Sequence, residues 1–180
     1  NNWLFAAEYE ARWQPIQNKI LINQEKGLPE LVFAKEYDLI ILRGGSLMEE
    51  LGYESLQLCL QALHDEHFVV IENTYGGKLT DPAFRLKYPT MASWKDLESG
   101  NFISSIVFEM FHNEYFVFSE SGTWGLYSAN EYEKPLQIIG FKPEYKALFR
   151  KAFFQCQEEW EEVKSWLPFK YKNVASLRCR

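Results

Sequence analysis

A chain of 180 residues that is 47% hydrophobic and 17% aromatic has the material for one globular domain, and its composition excludes an intrinsically disordered chain. At this length roughly 70% of the unfolded surface can be withdrawn from water without help from disulfides or metals. A formal charge of −6 disfavours generic binding to nucleic acid or anionic membranes, which needs clustered Lys and Arg. It suits a basic protein partner, although mild acidity is also the ordinary state of soluble bacterial proteins.

Near the start, Tyr9, Trp13, Ile16 and Ile20 recur at three- and four-residue spacing, as along one helix face, and Pro15 interrupts them. The expectation is a helix ending near Arg12 and a second short element around Lys19–Ile22, with Gly27-Leu28-Pro29 as a break. Leu31–Phe33 is a candidate short strand and Tyr37–Leu42 a clear one, since Leu39-Ile40-Ile41-Leu42 is apolar on both parities. After Arg43-Gly44-Gly45, Ser46 and Glu49 make a capping box for an amphipathic helix over 48–65. His67–Glu72 reads as the next strand. Strand, helix and strand over Tyr37–Glu72 have the spacing of a βαβ unit, so the sheet is either mixed or antiparallel through longer connections.

Residues 73–91 are the most irregular, with Thr80-Asp81-Pro82 suited to opening a helical turn. Ser93 followed by Asp96 is a capping-box variant for a short helix that Gly100 stops. Between Phe102 and Phe141 lie the runs Ile103–Met110, Tyr115–Ser119, Trp124–Ser128 and Leu136–Phe141. The turns between them, around His112-Asn113, Ser121-Gly122 and Asn130–Lys134, are too short for crossovers, which predicts an antiparallel meander. From Pro143 the apolar positions Tyr145, Leu148, Phe149, Ala152, Phe153, Cys156, Trp160 and Val163 predict a helix over 143–166, ended by Leu167-Pro168. The expected fold is thus α+β: a central, mainly antiparallel sheet of roughly five to seven strands flanked by helices 48–65 and 143–166. Residues 1–168 make one domain, and 169–180 a basic, loosely held tail.

Chemistry is sparse. Cys59, Cys156 and Cys179 are an odd number, widely spaced and without a Cys-x-x-Cys pair, which points to free thiols, a reducing compartment and hence the cytoplasm. No run is long enough to span a membrane, and Glu8 arrives too early for a secretory core, although the chain does not begin with Met and a leader upstream stays open. His64-Asp65-Glu66-His67 is the densest set of metal-ligand types, but it sits at a helix-to-strand junction without a third ligand at a fixed spacing, and reads as a polar helix end. No metal or cofactor is expected. Arg43-Gly44-Gly45-Ser46 and Tyr75-Gly76-Gly77-Lys78 follow strands, where anion-cradling loops occur, yet neither matches a dinucleotide or Walker pattern, and tight turns account for both. If a small ligand binds, a mouth formed by Arg43, Gly44, Gly45, Gly76, Gly77 and Lys78 is its place, with His64, His67 or His112 as acid–base groups of a hydrolytic or small-molecule-binding enzyme. The run Glu158, Glu159, Trp160, Glu161, Glu162 reads as a solvated helix face or, more sharply, as a docking surface for a basic protein, with Trp160 or Trp166 as anchor.

The segment from Tyr115 to Ser128 joins an aromatic strand, a Ser119-Glu120-Ser121-Gly122 turn and a Trp124-Gly125 strand. It resembles hairpins of bacterial polymorphic-toxin immunity proteins, including the SMI1/KNR4-like group. Leu28-Pro29 followed by Gly44-Gly45 is similar to that group's early part, except that the group tends to have a helix before the glycines where this chain has Tyr37–Leu42. The resemblance covers about forty residues and transfers no site residue. It implies a non-enzymatic cytoplasmic protein that neutralises a toxin by occluding its active site, and an acidic protein suits a basic toxin domain.

Overall fold

A computed structural model describes residues 2–21, 32–34, 36–43, 50–72, 85–99, 115–129 and 136–155. Strands β1 (Asp38–Arg43), β2 (His67–Glu72), β3 (Arg85–Pro89), β4 (Tyr115–Ser119), β5 (Trp124–Ala129) and β6 (Leu136–Phe141) form one open sheet. Their order is β1-β6-β5-β4-β2-β3, and every neighbouring pair is antiparallel. Helices cover the sheet, so the fold is the α+β arrangement expected.

Because side chains alternate along a strand, each register row belongs to one face. Ile40, Ile139, Leu126, Val117, Val70 and Leu86 line up on one side. They pack with Tyr53, Leu56, Cys59 and Leu60 of helix α3 (Glu50–Ala62), Leu97 of α4 (Trp94–Ser99), and Phe149 of α5 (Lys146–Ala152). Phe149 lies 4.6 Å from Phe141, ring on ring. On the opposite side Ile41, Ile138, Tyr127, Phe116 and Ile71 meet Leu4, Tyr9, Trp13, Ile20 and Phe33. Both faces are thus buried, which explains the unbroken apolar runs in β1 and β2.

Four expectations are corrected. Pro15 does not divide the N-terminal helix. The chain runs from α1 (Ala6–Glu8) through a π-helical turn (Tyr9–Trp13) into α2 (Gln14–Ile20). The wide turn stands just ahead of Pro15, where an α-helix would press the proline ring against the carbonyl of Ala11. Second, β3 lies within the stretch expected to be irregular. Its charged residues and Pro89 suit an edge strand, and its outer rim is covered by the Asn2–Leu4 segment through Leu4 N–H to Arg85 O (2.8 Å) and Lys87 N–H to Asn2 O (2.8 Å). Third, among the described residues the meander contains β4, β5 and β6. The run Ile103–Met110 lies outside the described residues, and the side of β4 it would have needed is filled by β2. The strand–helix–strand of Tyr37–Glu72 is accordingly no parallel pair: β1 and β2 point the same way, but β6, β5 and β4 stand between them. Fourth, the helix expected over 143–166 begins as a 3-10 turn at Pro143–Tyr145, and α5 gives way to a turn after Ala152; residues 156–166 lie outside the described residues. Periodicity carries no stop signal of its own, and neither Gly nor Pro marks this end.

Candidate functional site

The polar side chains of the described residues converge where α3 passes into β2 and β4 turns into β5. The helix ends in a Schellman arrangement: Asp65 N–H donates to Leu60 O (3.0 Å) and His64 N–H to Gln61 O (3.1 Å). His64 takes the left-handed position, φ 58°, usually held by glycine. That reversal points Asp65 inward, 7% exposed. Its Oδ2 accepts from Ser119 Oγ (2.6 Å) and Ser121 Oγ (3.0 Å), and its Oδ1 from Ser121 N–H (2.9 Å). Trp124 Nε1 donates to Ser119 Oγ at 2.6 Å and reaches Asp65 Oδ2 at 3.4 Å. The backbone carbonyl of Asp65 accepts Thr90 Oγ1 at 2.5 Å, which ties in the chain after β3.

Glu120, at the hairpin tip, makes a second hub. Its Oε2 accepts the backbone N–H groups of Glu66 (3.0 Å) and His67 (2.9 Å), and its Oε1 lies 3.1 Å from both Arg12 Nη2 and His67 Nδ1. Tyr37 Oη donates to Gly122 O (2.8 Å), securing the turn from the other face, and Gly122 itself sits at φ +60°. Each residue of the Ser119–Gly125 hairpin therefore has a packing or bonding task. Gly125 faces Ile20 and Phe33, which leave no room for a larger residue without movement.

The arrangement has the residue types of a hydrolase but not the geometry. Ser119 is completely buried, so its hydroxyl is closed to substrate. Its proton is directed to Asp65 while the imidazole of His67 faces Glu120, and among the described residues no hydrogen bond joins the two pairs. Among the described residues, too, no group of three His, Cys, Asp or Glu side chains is placed to hold a metal ion. The cluster clamps five chain segments together. A second buried row, Tyr115, Ser128 and Gln137, crosses β4, β5 and β6 at the other end of the sheet. Gln137 Nε2 donates to Tyr115 Oη at 3.1 Å, and burial pushes that phenol up to about 12.

Of the residues singled out in the sequence, Arg43 closes β1, opposite Leu136. Gly44, Gly45, Gly76, Gly77, Lys78, Glu158, Glu159, Trp160, Glu161, Glu162 and Trp166 lie outside the described residues, as does His112. The strands leading to the two glycine turns end on the same side of the sheet. Four strand spacings separate them, roughly 19 Å. His64 and His67 fall at the helix end and strand start expected of them. The Asp65 and Glu120 networks went unseen. The turn Ser119–Gly122 was visible, but its partners lie more than fifty residues upstream.

Compared with known proteins, the chain matches no family model, no curated protein and no solved structure. No helix among the described residues is long and apolar enough to cross a membrane.

Proposed function

We propose that this protein is a non-enzymatic protein-binding module that neutralises a basic toxin domain by occluding its active site. The observation that carries the reading is the saturation of the central polar cluster. Asp65 and Glu120 spend their acceptor capacity on internal donors, and Ser119, whose hydroxyl makes the shortest bond to the Asp65 carboxylate, is sealed from solvent. Residues consumed in this way serve rigidity, and a rigid scaffold favours recognition because little order is lost on binding. The net charge of −6 supports a cationic partner, whose encounter it would accelerate. The binding edge in this reading is the acidic run Glu158, Glu159, Glu161 and Glu162 with Trp160 and Trp166. Its setting is the cytoplasm.

Affinity purification from the native host, with identification of the retained protein, tests the proposal. A basic protein should be recovered with the wild-type chain and lost when Glu158, Glu159, Glu161 and Glu162 are reversed to Lys. Equal recovery by both chains sinks the assigned surface, and failure to recover a basic protein sinks the role. A saturable rise in melting temperature with a nucleotide or metal would instead favour the enzyme reading at the glycine turns.

A further inference from the structure

In the layer beneath the N-terminal helices, Arg85 is a cation that no carboxylate among the described residues matches. Arg85 opens β3, is 6% exposed, and lies in register with Ile71 on the face that Tyr9 and Leu4 cover. Its guanidinium carbon stands 5.6 Å from the centroid of the Tyr9 ring. Its Nε is buried without a hydrogen-bond acceptor. No carboxylate among the described residues is paired with it. Glu8, beside Tyr9 in the chain, is held by Lys87 Nζ at 2.6 Å, and Glu10 is exposed.

Tyr9 supplies no counter-charge. Its hydroxyl donates to Gln17 Oε1 at 2.9 Å. Burial pushes the phenol up to about 12 despite the opposing pull of Arg85, so the ring is neutral at physiological pH. Arginine cannot relieve its own burial by losing a proton, as lysine can. The aromatic face offsets only part of the lost hydration. What remains is a buried, unpartnered Nε–H on a guanidinium backed by an aromatic face, a setting in which an oxyanion is bound more strongly than in water.

We propose that Arg85 is the recognition group of a small-oxyanion site, taking a carboxylate or phosphate at the edge of its guanidinium while Tyr9 backs the plane. The site is independent of the toxin-binding role and stands or falls separately. Its ligand is a free anion of low molecular weight, since 6% exposure leaves only a narrow opening.

Thermal unfolding of the full chain in phosphate, in acetate and in chloride at matched ionic strength tests the assignment. Wild type should gain about 2–4 °C, saturably, in phosphate or acetate over chloride, and the arm with the larger gain names the preferred oxyanion. Arg85→Met should lose that gain and melt in chloride no lower than wild type, because removing an unpaired buried charge relieves its desolvation. Should the Met variant fail to fold, Arg85→Lys, which keeps the charge but not the fork, should show a diminished response. A wild-type chain that treats phosphate and acetate as it treats chloride overturns the site, as does a variant that retains the full response.

Discussion

The ring of Phe33 lies across Gly140 so closely that a methyl group built on that glycine would stand 2.6 and 2.7 Å from its Cδ1 and Cδ2 atoms. Phe33 is fully enclosed and stacks on Tyr37, ring centroids 6.3 Å apart, so it cannot yield. Gly140→Ala should destabilise the protein by about 3 kcal/mol, the upper range for overpacking. Gly125, its cross-strand partner, meets Ile20 Cγ2 at 3.0 Å and Phe33 Cε1 at 3.1 Å. There the gain in chain stiffness opposes the clash, and Gly125→Ala should cost about 1 kcal/mol or less. Urea midpoints of the two variants check the ordering.

Asp65→Ala removes the acceptor of the Ser119 hydroxyl in a fully buried space and those of Ser121 N–H and Oγ at its half-buried edge. A loss of about 3 kcal/mol or more is expected. Ser119→Ala should cost about 1–3 kcal/mol, since Trp124 Nε1 is left with only its long contact to Asp65. Arg12→Ala breaks a pair whose arginine is half exposed and should change stability by less than about 1 kcal/mol. Equal losses in all three variants would show that Asp65 is not the keystone of the cluster.

Burial raises the phenols of Tyr9, Tyr37 and Tyr115 to about 12, pushes that of Tyr53 higher still, and raises the Cys59 thiol to about 12. For each group the folded state favours the protonated form. Stability is therefore complete below the unfolded values, near 9 for the thiol and 10 for the phenols, and falls as pH rises from there towards 12. Equilibrium unfolding between pH 8 and pH 11, roughly the span over which free thiols and phenols ionise, should show a progressively steeper decline. An ultraviolet titration of the native chain should leave these four tyrosines un-ionised after exposed ones have titrated. In the native state Cys59 should also resist a thiol reagent until denaturant is added.

The capping box at the start of α4 is reciprocal. Ser93 N–H and Oγ donate to Asp96 Oδ2 at 2.8 and 2.7 Å, and Asp96 N–H donates to Ser93 Oγ at 3.2 Å. The Ser93 side chain, then its backbone, hold the Asp96 carboxyl below its ordinary value. The support this gives α4 is present above the usual carboxylate range and is lost as pH falls through the lowered value. Ser93→Ala should speed amide hydrogen exchange at Asp96 and Leu97 while leaving β2 unchanged.

Local chemistry was what the sequence made legible. The Ser93/Asp96 cap, the glycine turn at Gly122, and the doubly buried run Leu39–Leu42 each carry their cause within a few residues. Strand order was not legible, because β1 chooses β6 and β2 chooses β4 across distances that no spacing rule reaches. The π-turn is not legible for a different reason. Pro15 signals a break in an α-helix, and only the packing of Tyr9 and Trp13 into the core shows that the chain widened instead of stopping. In the candidate site, the sequence marks Ser119 and Glu120 only as part of a turn and Asp65 only as a polar helix end, because the depth of Asp65 is set by tertiary packing.

The union of β1 with β6 joins Asp38 to Phe141, partners about a hundred positions apart. An edge ribbon synthesised early must therefore wait for nearly the last ribbon before it can dock. Closing so long a loop costs entropy before any contact repays it, so refolding should be slow for a chain of this size. On the ribosome, the Leu39–Leu42 tetrapeptide would remain unclaimed and adhesive until Leu136–Phe141 has emerged. Nascent chains halted before that point are the ones to expect in aggregates or on chaperones.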